Sequence, residues 1–336
     1  MSGRAAEQHQ ETIQETIQET MRAVSQTELG GPEVLRLVEV PRPVAGPGDV
    51  LVRVYASGLN PVDYKTRAFG GLLASEPPFV LGFDVSGVVE AVGWGVTLFE
   101  PGDEVYGMPG FPRLLGGYAE YIAAPARHFV RKPAGLDHVA AAALPLAALT
   151  AWQAFTDRAQ ARPGQRVLIH AAAGGVGHLA VQIAKSLGLY VIGTASAAKH
   201  DFVRELGADE VIDYTAGDFA QAVRESVGEV DIVLDCVGGD YGARSLPLIR
   251  TGGTLVSLTG PQEDALRPRA AELGVRAGFL LVEPDTAALR ALAELVADGR
   301  LRAHVEAVLP LADAAKAHEL GETGRVRGKL VLRVAE

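Results

Sequence analysis

The sequence predicts a two-domain α/β protein, with a doubly wound parallel sheet beside a largely antiparallel, barrel-like domain. Three observations carry that prediction. Arg166–Gly188, RVLIHAAAGGVGHLAVQIAKSLG, reads as a buried strand, a glycine-rich turn and an amphipathic helix. From Pro163 to Val282, strand-like apolar runs alternate with helical ones. Before Asp137 the text is instead short alternating segments punctuated by Pro and Gly. A length of 336 residues leaves ample core for two domains.

The chain opens on EQHQETIQETIQET, which repeats the unit IQET and lacks the apolar centre of a signal peptide. Its Ile13 and Ile17 are too few for a packed face, so residues 1–20 are expected to be a disordered or fraying extension. Folded sequence is expected from Met21. Val34–Val40, Val50–Tyr55, Gly87–Val92, Glu104–Tyr106 and Gly117–Ile122 read as strands, with GPGD and EPGDEV as launching turns. His138–Phe155 is helical, broken or restarted at Pro145.

Alternation then sets in. Strand Arg166–His170 precedes helix Gly175–Leu187, and strand Tyr190–Thr194 precedes helix Ala198–Leu206. Strand Glu210–Ile212 leads to helix Phe219–Ser226, and strand Asp231–Asp235 to helix Tyr241–Ile249. Thr254–Leu258 and Gly278–Val282 complete the set, and such alternation implies right-handed crossovers in a parallel sheet. Helix Thr286–Asp298 and a strand-rich end return the chain to the first domain. The predicted division is therefore 21–145 with 286–336 for the barrel-like domain and 146–285 for the parallel-sheet domain.

Composition removes several function classes. A formal net charge of −10 argues against a nucleic-acid surface, which needs a basic stripe. The lone cysteine, Cys236, allows no disulfide framework or thiolate zinc cluster and suits a reducing, cytoplasmic setting. No apolar run reaches membrane-spanning length, and no G-x-S-x-G elbow supports hydrolase chemistry.

The turn Ala172-Ala173-Gly174-Gly175-Val176-Gly177 lies on the dinucleotide pattern G-x-G-x-x-G with Ala in first place. Gly174 lets backbone approach a pyrophosphate, Gly177 lets the helix pack closely on the strand, and the helix N-terminus receives the phosphates. Gly174, Gly175, Val176 and Gly177 are thus candidate cofactor contacts. An acid ending the second strand would bind the ribose 2′-hydroxyl of NAD. Here that strand ends in Gly193-Thr194-Ala195-Ser196-Ala197-Ala198-Lys199, where Ser196 and Lys199 suit the 2′-phosphate of NADPH instead. Lys199 as a solvated helix residue is the plain alternative. Tyr214, after the third strand, is placed to cover an adenine or to be a surface aromatic. His170, His178 and Cys236 receive no functional role.

The order of barrel-like domain, LPLAALTAWQAF, HAAAGGVGHLAVQIAKSLG, DIVLDCVGG and GRVRGKLVL resembles a known family. It is similar to the zinc-independent medium-chain dehydrogenase/reductases, the quinone oxidoreductase or zeta-crystallin-like group. That resemblance implies a GroES-like catalytic domain and a Rossmann domain. Zinc-dependent relatives carry ligands where this chain has Asn60, Phe83 and, near the domain junction, Leu146; none of the three is a good zinc donor. No metal is therefore expected. What remains is NADPH-dependent hydride delivery to quinones or to C=C bonds conjugated to a carbonyl.

Asn60 and Tyr64, in NPVDYK, are the candidate catalytic residues, each a possible hydrogen-bond donor. Asn60-Pro61 as a turn and Asp63 as a helix cap are the structural alternatives. Phe69 stands near where related enoyl reductases use a Tyr, which weakens fatty-acid-type enoyl reduction. Phe69–Pro78 and Met108–Gly117 are expected to wall the substrate. By resemblance, Thr150, Val237, Leu258, Thr259 and Lys329 approach the cofactor, the last through its phosphates, with Arg325 a weaker candidate. Lys329 and Arg325 as solvated charges remain open. The rivals are an enoyl reductase of a polyketide-like pathway and a non-catalytic, crystallin-like NADPH binder. Relatives of this kind are often dimers joined through nucleotide-domain sheet edges, so a homodimer is the expected assembly.

Overall fold

A computed structural model describes residues 19–260 and 265–336. Extended chain begins at β1 (Thr20–Gln26), which pairs antiparallel with β2 (Arg36–Pro41). Glu19 and Thr20 thus belong to the folded body, and the Glu19 carboxylate pairs with Arg42 at 2.6 Å. The rest of the expected extension, residues 1–18, lies outside the described residues.

Next come β3 (Asp49–Gly58), helix α1 (Pro61–Phe69), β4 (Phe79–Val80), β5 (Asp84–Val92), β6 (Glu104–Gly107), β7 (Tyr121–Pro125) and β8 (Phe129–Arg131). Hydrophobic alternation along β3 points Val50, Val52 and Val54 inward against Val85, Val105 and Ile122. The expected strand Gly117–Ile122 starts later, at Tyr121. Gly116 takes a positive φ of 86°, and Tyr118 and Ala119 turn aside to bond Leu81 and bridge to Ala23.

Helices α2 (His138–Ala142) and α3 (Pro145–Gln153) are split at Pro145 as the sequence expected, because proline starts a helix but cannot continue one. The parallel sheet follows: β9 (Arg166–Ile169), α4 (Gly177–Ser186), β10 (Tyr190–Ala195), α5 (His200–Glu205), β11 (Glu210–Asp213), α6 (Phe219–Ser226), β12 (Val230–Asp235), α7 (Tyr241–Ser245), β13 (Ile249–Ser257), α8 (Arg267–Glu272) and β14 (Arg276–Phe279). Its order is β11-β10-β9-β12-β13-β14, all parallel, so the chain reverses direction across the sheet between β9 and β12. The helix expected over Tyr241–Ile249 stops at Ser245, since Pro247 converts Leu246–Leu248 into a 3₁₀ turn and Ile249 already opens β13.

The chain ends with α9 (Thr286–Ala297), β15 (Val305–Pro310), α10 (Ala314–Glu322) and β16 (Lys329–Arg333). β16 pairs antiparallel with β3, which stitches the C-terminus into the barrel sheet β15-β16-β3-β5-β6-β8. α9 buries Leu289 and Leu292 in one apolar cluster with Leu179 and Ile183 of α4 and Phe83 and Phe111 of the barrel. That shared cluster cements the seam where the two domains meet. No described helix is long and apolar enough to cross a membrane.

Candidate active site at the domain seam

The glycine-rich turn connects β9 to α4. A Cβ at Gly177 would lie 2.2 Å from the Ala171 carbonyl oxygen and 2.8 Å from the Ala172 Cα, so only glycine fits. In the first turn of α4 the His178 N–H donates to the Gly174 carbonyl at 3.0 Å and the Leu179 N–H to the Val176 carbonyl at 3.1 Å, which folds the glycine-rich turn onto the helix N-terminus. His178 staples this region. Its Nε2 accepts from the His304 N–H at 3.2 Å, so Nδ1 carries the proton and donates to the Gly174 carbonyl at 2.9 Å. Burial holds its pKa down at about 4, which keeps it neutral. His170, fully buried between Thr194 and Ser245 and held at about 3, is equally structural.

The carboxyl ends of β12 and β13 form the neighbouring wall. Asp235 Oδ1 accepts from the Val237 and Gly238 N–H groups, both at 2.9 Å. Gly238, at φ 78°, sits so close to Thr259 that a Cβ would be 2.4 Å from Thr259 Oγ1. Val237 is 43% exposed, and Leu258 and Thr259 are half-buried, so these expected contacts share one ledge. Asp235 Oδ2 is buried without a hydrogen-bond partner among the described residues. Burial above all raises its pKa.

Across the seam stands the start of α1, beside a buried polar knot that the sequence did not predict. Lys329 Nζ, 2% exposed, donates to Leu59 O at 2.7 Å, Asn60 Oδ1 at 2.5 Å and Asp84 Oδ2 at 3.3 Å. An ammonium cannot accept, so the oxygen of the Asn60 amide faces it and Nδ2 turns to Asp84 Oδ2, at 2.9 Å. One Nδ2 hydrogen remains for another acceptor. Asp84 Oδ1 takes the Leu146 N–H at 2.7 Å, and burial, partly offset by Lys329, raises the Asp84 pKa.

Two expected roles need correction. Lys329 was expected to present its charge to the cofactor phosphates. Its stem does pass the turn, with Cδ 3.6 Å from where a Gly175 Cβ would stand, but its ammonium points inward to Asn60 and Asp84. The reason is charge: Asp84 is fully buried and requires a cation. Tyr64 was expected to present its hydroxyl beside Asn60. Its ring instead packs edge-on to His318 at 5.5 Å, and its hydroxyl lies 3.2 Å from where a Gly321 Cβ would stand on α10.

The remaining candidates are placed as follows. Thr150, 6% exposed, donates to Leu146 O at 2.7 Å, the usual back-bond of a helical threonine. Ser196 is half-buried after β10. Lys199 reaches the Arg325 carbonyl at 2.8 Å and the Val326 carbonyl at 3.4 Å, and burial lowers its pKa. Tyr214 is 43% exposed beyond β11. Phe69, 79% exposed, with the exposed Leu72 and Leu73, forms an apolar flap after α1.

Sequence reasoning missed Asp84 and Lys65. Asp84 was signalled by an acid inside the apolar run LGFDV. Lys65 gave no signal beyond its place in NPVDYK, yet its Nζ spans the seam to the Thr259 carbonyl at 3.4 Å. A separate groove of about 1070 Å³, lined in part by Arg42, Arg53 and Arg333, contains none of these groups.

Comparison with known proteins accords with this geometry. Residues 46–134 match the alcohol dehydrogenase GroES-like domain, and residues 206–332 the zinc-binding dehydrogenase domain. A 2-haloacrylate reductase from Burkholderia sp is 36% identical over 323 residues, covering 90% of this chain and 96% of that protein. The quinone oxidoreductase of Coxiella burnetii superposes with a TM-score of 0.89 at 41% identity, over 94% of this chain and 100% of that one. This chain belongs to the quinone oxidoreductase group of the medium-chain dehydrogenase/reductases. It is accordingly an NAD(P)H-dependent oxidoreductase with GroES-like and Rossmann parts. A mycobacterial relative, 33% identical with a TM-score of 0.84 over 94% of this chain and 100% of its own, was solved complexed with NADPH.

The zinc in one family description finds no fitting donor set here. Asn60 is engaged by Lys329 and Asp84, Phe83 packs on Phe111 at 5.1 Å, and Leu146 offers only its N–H. Among the described residues no cluster of three His, Cys, Asp or Glu side chains is arranged to hold a metal ion.

Proposed function

We propose that this oxidoreductase is a metal-free, NADPH-dependent reductase of quinones and of C=C bonds conjugated to a carbonyl. The observation that carries this reading is the Lys329–Asn60–Asp84 knot, which engages the amide of Asn60, the residue at one of the positions where zinc-dependent relatives carry a ligand. Without a Lewis acid, an alcohol is a poor substrate, whereas a conjugated carbonyl needs only hydrogen-bond donors for the charge that develops on its oxygen. The bound nicotinamide supplies the hydride.

The chain's own residues do the rest. The turn Gly174–Gly177 and the α4 N-terminus hold the pyrophosphate. Asn60, fixed at both ends of its amide, offers its spare N–H, and Lys65, on the same helix α1, offers an ammonium that reaches across the seam to the Thr259 carbonyl. The exposed Phe69, Leu72 and Leu73 exclude water over an apolar acceptor. As Tyr64 is directed to α10, the proton that completes reduction comes from solvent. A 2-haloacrylate reductase among the relatives is consistent with activated alkenes as acceptors.

The preference for NADPH rests on Ser196 and Lys199. The bonding partners of Lys199 are two neutral carbonyls, which leave its charge free to pair with a 2′-phosphate. Lys199→Ala is expected to weaken NADPH about tenfold and leave NADH unchanged, as read by nicotinamide fluorescence titration. Equal losses for both cofactors would remove Lys199 from the site. NADPH oxidation assayed with a quinone, a conjugated enone and an alcohol–NADP⁺ pair tests the reaction class. Turnover with the alcohol alone, or stoichiometric zinc by elemental analysis, would refute it.

A further inference from the structure

Lys329, which fixes the oxygen of the Asn60 amide, is itself tied to the glycine-rich turn across the seam. The tie runs through His178, a residue to which the sequence assigns no role. His178 is wholly buried in the first turn of α4. Its Nδ1 donates to the Gly174 carbonyl at 2.9 Å, and its Nε2 accepts the His304 N–H at 3.2 Å. His304 continues the path, since its carbonyl accepts the Lys329 N–H at 2.9 Å. A second tie is shorter: the Gly328 N–H donates to the Ala173 carbonyl at 2.9 Å. One turn further along α4, Gln182 grips the same segment, donating to the Arg302 carbonyl and accepting the Arg302 N–H, both at 3.0 Å. Lys329 Nζ ends the path on Asn60 Oδ1, while Asp63, buried on α1, holds the Asn60 backbone N–H at 2.8 Å.

We propose that His178 is a positioning residue of the reductase: it holds the cofactor-binding turn in register with Lys329, and through Lys329 with the amide of Asn60. This rests on the function proposed above. Hydride transfer needs donor and acceptor at a set separation, and a misplacement of about 1 Å costs up to about 100-fold. Here the two sides belong to different sheets, α4 to the parallel one and Lys329 to the barrel. The apolar packing of the seam is non-directional, whereas hydrogen bonds fix register. The path also has no slack. Gly328, at φ 62°, lies so close to His304 that a Cβ would stand 2.2 Å from the His304 carbonyl oxygen. Gly328 O and Lys329 Cδ both lie 3.6 Å from where a Gly175 Cβ would be. The turn therefore cannot shift without moving Lys329, nor Lys329 without moving its grip on Asn60.

The experiment compares wild type with His178→Phe, His178→Asn and His178→Gln. His170→Ala serves as the control for losing a buried imidazole outside the path. Phe fills the space and makes neither bond. Asn sets a donor where Nδ1 stands and keeps only the Gly174 bond. Gln sets an acceptor where Nε2 stands and keeps only the His304 bond, the one that crosses the seam. The first readout is a single turnover of bound NADPH with an enone. Loss of folded protein lowers the amplitude of that trace, whereas a misplaced donor lowers its rate constant. His178→Phe and His178→Asn are expected to lower the rate constant about tenfold, with the NADPH dissociation constant within about threefold of wild type. His178→Gln recovers most of the rate constant, and His170→Ala loses amplitude alone.

The second readout needs no turnover. Amide hydrogen exchange is followed as 2′-phospho-ADP-ribose, the part of NADPH that lacks the nicotinamide, is added. In wild type exchange slows at the turn and also over residues 59–66; in His178→Phe it slows at the turn only. Where the phenylalanine variant does not fold, the Asn and Gln pair carries the same contrast. A His178→Phe rate constant equal to wild type, or one lowered as much by His170→Ala, overturns the proposal. So does protection over residues 59–66 that is the same in wild type and variant, or no protection at the turn in wild type. Absence of hydride transfer in wild type sinks the function proposed above, and the exchange comparison then decides the tie alone.

Discussion

Lys329→Met is expected to lower stability by about 3–5 kcal/mol and kcat by about 100-fold, with urea denaturation and NADPH-oxidation kinetics as the measurements. The stability loss arises because Asp84, at 0% exposed, is left without its cation while Asp63 already lacks one. The kinetic loss arises because the Asn60 amide loses the donor that fixes which end faces inward. The double variant Lys329→Met, Asp84→Asn removes the orphaned charge and is expected to recover most of the stability but little of the rate. Equal stabilities in the single and double variants would show that the pair is not what matters. Cofactor affinity separates the sequence expectation from the structural one. If Lys329 Nζ met a phosphate, NADPH binding would weaken in both variants to a similar extent. With the ammonium directed to Asn60, binding changes little in the double variant.

This lysine shows where the sequence stops being legible. The period-2 and period-3.6 patterns placed β9, α4, β10, β12 and the exact bounds of α6, because burial writes those periods directly into the chain. The glycine-rich turn was equally readable, since close packing at Gly177 admits one residue type. Lys329 and Asn60, by contrast, are separated by 269 positions and meet only through the pairing of β16 with β3. No local pattern encodes that pairing. Tyr64 was misjudged for the same reason: whether a helical tyrosine faces the cleft or α10 depends on His318 and Gly321, far along the chain. Where Gly117–Ile122 was expected as one strand, alternation was present, but the chain's turn at Gly116 gave its first half to β1.

The largest effect on cofactor binding is expected at the turn itself, and two alanine substitutions separate its two tasks. Gly177→Ala would set a Cβ 2.2 Å from the Ala171 oxygen, 2.8 Å from the Ala172 Cα and 2.9 Å from the Ala171 carbonyl carbon. All three are backbone atoms of the strand–turn junction, so no rotamer change relieves the contact and α4 must move away from β9. Overpacking of this kind costs about 1–3 kcal/mol or more, and the helix N-terminus that should receive the phosphates moves with it. Stability and NADPH affinity are therefore expected to fall together, the affinity by about 100-fold. Gly175→Ala meets nothing closer than 3.6 Å, at Gly328 O and Lys329 Cδ, so stability should hold within about 0.5 kcal/mol. Its methyl nonetheless stands where backbone must approach the pyrophosphate, and NADPH affinity is expected to fall by about tenfold. Calorimetric melting and fluorescence titration of the two variants check both halves. A Gly175→Ala protein that binds NADPH normally would mean that the phosphates do not lie on this turn. A Gly177→Ala protein that binds weakly but melts as wild type would mean that helix packing is not what Gly177 provides.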